Sequence, residues 1–147
     1  MKTAILFCLV FLAACASSSG AGRTLFELYE DYVQATNAGN VALLAPRYFS
    51  PRLIEGKNLD SPGIKSQLLF KERMVTIRNH LERKAPSGGC LTINGHDEER
   101  MPIAFDIAYS RSDNNYLISQ VAVSYLNDEA DFSDTARCPD AADDAAR

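Results

Sequence analysis

Two runs near the end of the chain leave little freedom of conformation. Met101 to Ser110 alternates, with Ile103, Phe105, Ile107 and Tyr109 on one face and Ala104, Asp106 and Ala108 on the other. Asp113-Asn114-Asn115 follows, and then Tyr116 to Leu126. A period of two over such lengths belongs to strands, and the polar turn joins them as a hairpin. Both faces of the second run are largely apolar. Leu117, Val121, Val123 and Tyr125 share one, and Tyr116, Ile118, Ala122 and Leu126 the other. This strand is therefore expected in the middle of a sheet. Cys90 to Asn94 predicts a further short strand, and Asn94 to Glu99 a polar connection.

The preceding residues read as helix. In Thr24 to Asn37, Leu25, Leu28, Tyr29, Tyr32 and Val33 make one apolar stripe at helical spacing. Thr24 with Glu27 forms a capping box, and Gly39 can end the helix in a left-handed conformation. Asn40 caps a second, short helix that buries Val41, Leu44 and Ala45, where Pro46 can kink or end it. Arg52 to Pro62 reads as loop or a short edge strand. Ser61-Pro62 then opens a third helix, expected from about Gly63 to Lys84. Phe70, Met74, Ile77 and Leu81 are its stripe, and Lys65, Lys71, Arg73, Arg78, Arg83 and Lys84 give it a basic outer surface. Pro86-Ser87-Gly88-Gly89 breaks it.

The N-terminus has a different character. Lys2 precedes the apolar run Ala4 to Leu12, which is shorter than the roughly 20 residues of a membrane span. This is the layout of an export signal. Leu12-Ala13-Ala14-Cys15 resembles the lipobox of bacterial lipoproteins, in which the Cys thiol is lipidated and the signal is cut before it. The resemblance implies a signal over residues 1–14 and a lipid on Cys15. With Ala16 next, it also implies sorting to the outer membrane of a Gram-negative bacterium, facing the periplasm. Two or three acyl chains anchor a protein without a spanning helix, since each buried methylene contributes about 0.8 kcal/mol. Residues 15–22 then form a flexible tether that holds the body within about 25 Å of the bilayer.

That address sorts the four cysteines. Cys8 leaves with the signal and Cys15 takes the lipid. Cys90 and Cys138 remain in an oxidising compartment and are expected to pair. From Cys15 to Asn127 there are twelve basic and twelve acidic residues; from Asp128 onward there are two and seven. A balanced body with an acidic end excludes a nucleic-acid footprint. The segment 128–147 is rich in Asp and Ala and loses periodicity, so it is expected to be mostly disordered, with Cys138 clipping its first part to the sheet.

The expected class is α+β: two or three N-terminal helices packed on a curved antiparallel sheet of three to five strands, over residues 23–127. Phe26 to Arg52 is an amphipathic helix, a Gly39-Asn40 break and a short helix ending in Tyr48-Phe49. This resembles the nuclear-transport-factor-two-like family of cone-shaped domains. The resemblance implies a cone-like sheet and a pocket beneath the helices. In the family's enzymes, such as ketosteroid isomerase, an Asp or His base sits among apolar walls. Here Asp106 would be the base, with Tyr32 or His80 as partner and Tyr29 beside them. The plainer reading makes Asp106 a solvent-facing strand residue, the tyrosines core and His80 a surface residue of the third helix. His96 beside Asp97, Glu98 and Glu99 reads as a polar connection before it reads as a cation contact. Two histidines and no Cys-x-x-Cys spacing argue against a zinc site. The function expected is a lipid-anchored, periplasmic binding or accessory protein without catalysis or cofactor, contacting the membrane through its anchor and open to an envelope protein partner. The alternative is a small lyase or isomerase.

Overall fold

A computed structural model describes residues 22–113 and 115–139. The signal, Cys15 and most of the tether lie outside the described residues.

The class is α+β, with helices preceding a four-stranded antiparallel sheet. Helix α1 (Leu25–Ala35) starts as expected: Thr24 Oγ1 accepts from Glu27 N at 3.0 Å, and Glu27 Oε2 accepts from Thr24 N at 2.7 Å. A second carboxylate joins from far along the chain. Glu82 Oε2 accepts from Leu25 N at 2.7 Å and Phe26 N at 3.1 Å, so the positive end of α1 is held against the sheet. At the other end the Lys71 ammonium donates to the carbonyls of Val33 and Thr36. Gly39 is not left-handed. The chain instead turns through Asn37 and Asn40, whose side chains hold Gly39 N at 2.8 Å and Asn37 N at 2.7 Å.

Helix α2 (Val41–Tyr48) runs two residues past Pro46. Pro51, at the first helical position, opens a one-turn helix α3 (Pro51–Ile54) where loop or strand was expected. Helix α4 (Pro62–Leu68) has Ser61 as its cap, as read from the sequence.

The long third helix is not formed. After α4 come a 3-10 turn (Phe70–Arg73) and then strand β1 (Thr76–Ala85). The stripe holds only through Phe70 and Met74, both buried; Ile77 is 43% exposed. Val75-Thr76-Ile77 is a β-branched run, which favours a pleated surface. Pro86-Ser87 is then the turn of a hairpin with β2 (Gly88–His96). An exposed edge strand needs no alternation, which is why periodicity misread it. The basic helical surface is thereby divided among α4, the turn and β1.

The sheet is a meander ordered β1-β2-β3-β4, with β3 Pro102–Ser112 and β4 Asn115–Tyr125. β4 therefore lies at an edge and not in the middle. Its register slips opposite Ala108 and Tyr109: Gln120 faces the first and Ile118 the second, so Ser119 is the extra residue. The slip exchanges the faces. Tyr116, Ile118, Val121 and Val123 all join the helix-side core, which is why both faces of this run looked apolar. Ser50 N donates to Ile118 O at 2.8 Å beside a parallel bridge between Phe49 and Ile118, covering part of the β4 edge.

On the helix side Phe70 stacks on Tyr32 at 5.4 Å and meets Phe105 edge-on at 5.3 Å. The other side is covered by the segment after β4. Residues 128–139, the part of the 128–147 segment that Cys138 was expected to clip to the sheet, take a defined path. A 3-10 turn (Glu129–Asp131) leads into a strap that crosses β2 and β3, closed by the Cys90–Cys138 disulfide. Asn94 Nδ2 donates to Ser133 O at 2.9 Å and Arg137 N to Thr92 Oγ1 at 2.8 Å. Residues 140–147 lie outside the described residues.

The disulfide closes a loop of 48 residues. Replacing both cysteines by alanine should lower stability by about 4 kcal/mol on the chain-entropy estimate, read as a lower urea midpoint. Glu82→Gln should weaken the junction of α1 with β1 by about 1 kcal/mol, with faster amide exchange at Leu25 and Phe26 than in the parent.

Candidate binding cleft

Of the four residues expected to share a pocket only Tyr29 and Tyr32 meet, with ring centroids 6.0 Å apart. Tyr29 and Tyr32 are core side chains, 3% and 0% exposed. The Tyr32 hydroxyl donates to Leu68 O, and burial raises the pKa of both phenols well above the ordinary value, so both stay neutral. His80 lies on β1 and not on a helix, with its ring stacked on Phe26 at 3.7 Å.

Asp106 points the other way. Phe105 and Ile107 face the helices, so pleat alternation sends Asp106 to the strap side. There its Oδ1 accepts from Thr92 Oγ1 at 2.7 Å, and its Oδ2 lies 3.2 Å from Arg137 Nη2. Its side chain is 12% exposed and lines a hollow on the strap side with Arg137, away from the tyrosines. It is the acceptor that the strap's arginine was placed to meet. The thickness of the sheet separates it from both tyrosines.

What the structure does assemble is a cleft of about 240 Å³ between α3, α4 and the edge of β4. Phe49, Leu68 and Phe70 are its buried residues, 1%, 5% and 3% exposed. Leu53 and Ile64 come from the two helices, and Val121 and Val123 from the strand. The local sequence builds this wall. Ser50-Pro51 starts α3, Gly56 turns the chain at φ 73°, and Ser61-Pro62 restarts it as α4.

The polar groups are at the mouth. Lys57, Gln67 and Arg73 line the cleft, and both cations are exposed. Neither has a carboxylate partner among the described residues. No carboxylate, histidine, serine or cysteine lines the cleft. Its ionisable groups are the two exposed cations, Lys57 and Arg73. Among the described residues no group of three His, Cys, Asp or Glu is placed to hold a metal ion. The arrangement can enclose an apolar chain and neutralise an anion at its end.

None of these lining residues was singled out in the sequence as a site. Tyr48-Phe49 had been noticed as an aromatic pair, and Val121 and Val123 as one face of a strand. Lys57 is in a stretch without periodicity, and Arg73 lay inside the misread helix. No local signal joins them; the α3–α4 wall does.

Asp106→Ala should cost about 1–3 kcal/mol by leaving the Thr92 hydroxyl and the Arg137 guanidinium without their acceptor. Amide exchange should rise along the strap, at Ser133 and Arg137, and ligand uptake by the cleft on the far face should be unchanged.

No family model, no curated protein and no solved structure matches this chain. What the cleft accepts must be read from its own chemistry.

Proposed function

We propose that this is a non-catalytic, lipid-anchored binding protein of the bacterial envelope, whose cleft takes an elongated apolar anion of the fatty-acid class. The observation that carries the ligand class is the cleft itself: an aromatic and aliphatic interior, two cations at its mouth without a carboxylate partner among the described residues, and no carboxylate or histidine in its lining. Small-ligand sites are commonly apolar hollows of roughly 300–1,000 Å³ with a few oriented polar groups, and this one, at about 240 Å³, falls just below that range.

The Leu12-Ala13-Ala14-Cys15 motif supports the location, as read from the sequence. The Cys90–Cys138 disulfide is what an exported domain would carry. No helix among the described residues is long and apolar enough to cross a membrane, and the anchor proposed is the lipid on Cys15. Ala16 favours the outer membrane. The cone-like reading of the fold gains support from a ligand-sized hollow between the helices and the sheet. An envelope protein remains a candidate partner, one that could deliver or receive the bound chain.

Two measurements test the proposal. Radiolabelled palmitate should enter the wild-type protein and not Cys15→Ser, which should leave the membrane fraction; an unlabelled, fully aqueous wild type overturns the anchor. The Cys15→Ser protein should bind cis-parinaric acid with a rise in probe fluorescence. Lys57→Glu with Arg73→Glu should weaken that binding at least about tenfold, near 1.4 kcal/mol, without lowering the melting temperature, because both side chains are exposed. Equal binding by the parent and the doubly substituted protein overturns the ligand class.

A further inference from the structure

A second hollow, of about 230 Å³, lies at the other end of β4, between α1, α2 and the β3–β4 hairpin. Its chemistry is the reverse of the first. Three tyrosines line it, Tyr48, Tyr109 and Tyr116, together with Arg23, Arg47 and Asp31. Arg23 donates to Oδ2 of Asp31 and holds that carboxyl below its ordinary range, so it stays ionised and its Oδ1 is open to a donor. Arg47 lies over the ring of Tyr48 at 5.4 Å and has no carboxylate in ion-pair contact among the described residues. Lys84 and Arg111 both lie over the ring of Tyr116, at 5.5 and 6.0 Å, and add positive charge beside the opening.

The Tyr109 hydroxyl is buried and has no hydrogen-bond partner among the described residues; the residue is only 5% exposed. Burial raises its pKa well above the ordinary value, so it is a neutral phenol with a proton to give. An unsatisfied buried hydroxyl lowers stability. Such an atom, on a residue that lines the same hollow as Arg47, suits an acceptor supplied from outside.

We propose that this second cleft binds a phosphorylated, hydroxylated ring: a sugar phosphate, free or as the headgroup of a lipid. Arg47 meets the phosphate with its planar fork, a geometry that matches an oxyanion better than a point charge does. Tyr109 donates to the ligand. The tyrosine faces stack against the flat, apolar side of the ring. The open oxygen of Asp31 accepts from a ring hydroxyl. That carboxylate is what selects the class: it repels a bare anion, and a plain aromatic acid would cover it without offering a donor.

The test is calorimetric titration of the full-length protein in non-ionic detergent micelles with glucose-6-phosphate, glucose and inorganic phosphate. Glucose-6-phosphate should saturate the protein and bind at least about tenfold more tightly than either of the others. Arg47→Ala should lose at least about tenfold in affinity. Tyr109→Phe should also bind more weakly, yet melt at the same or a higher temperature, because it removes an orphaned hydroxyl; a merely structural tyrosine would not show that combination. Displacement by a short-chain phosphatidylinositol phosphate identifies the source as a lipid headgroup. Displacement only by soluble sugar phosphates identifies it as free, and both results support the shared chemistry. The proposal is overturned if no titrant saturates, if inorganic phosphate binds as tightly as the sugar phosphate, or if both substituted proteins bind like the parent. Such a failure would leave the apolar cleft untouched, since Phe49 and Ile118 stand between the two.

Discussion

β2 and β3 are buried on both faces, and the rest of the molecule follows from that. Leu91, Ile93, Phe105 and Ile107 turn fully buried side chains to the helices, while Thr92, Asn94 and Asp106 are buried on the reverse. A sheet in this state needs a cover on each side. The helices form the apolar one, and among the described residues no second helical layer follows. The chain instead returns as a strap, and the strip beneath it is polar. A strap without regular structure has unspent backbone groups, so a polar strip suits it. Ser133 O and Arg137 N are satisfied by Asn94 and Thr92 directly. The disulfide fixes the strap's far end, with Cα atoms 5.0 Å apart. Polar satisfaction gives the cover its register, and the covalent bond keeps it in place.

The parts legible in the sequence were those with a local cause. The capping box at Thr24 and Glu27, the start of α4 at Ser61-Pro62, the β3–β4 hairpin and the cysteine pairing each rest on a few neighbouring residues or on elimination. What failed depended on partners distant in the chain. β1 was misread because its faces are exposed, and nothing about an edge strand demands a pattern. Only pairing with β2 makes it a strand. β4 was placed in the middle because a one-residue slip at Ser119 moves its inward set from one parity to the other. An averaged view of such a run shows two apolar faces when each half has only one.

The site was less legible than the fold for the same reason. Asp106 drew attention as a carboxylate in an apolar strand, and it is indeed buried. Its partner, Arg137, lies beyond the last periodic residue, in the segment whose composition suggested disorder. Composition reports whether a segment can build a core of its own. The strap builds none, and it lies on a core built by others. Conversely, Lys57 and Arg73 attract no notice as isolated surface cations. They become informative only as unpaired charges at the mouth of an apolar hollow.

The two clefts are one consequence of the aromatic pair that ends α2. Tyr48 and Phe49 are adjacent, yet Tyr48 lines the polar hollow and Phe49 the apolar one. The chain leaves the helix there in an extended conformation, with φ −113° and ψ 142° at Phe49, and consecutive side chains then point apart. The bridge from Phe49 to Ile118 locks this divergence against β4, next to the slip that turns Val121 and Val123 inward. A strand edge that would otherwise be open to pairing is thus closed at its midpoint and hollow on either side. The dividing wall is a backbone bridge with two buried side chains, Phe49 and Ile118, both 1% exposed. The two hollows are separate in chemistry and share one mechanical support.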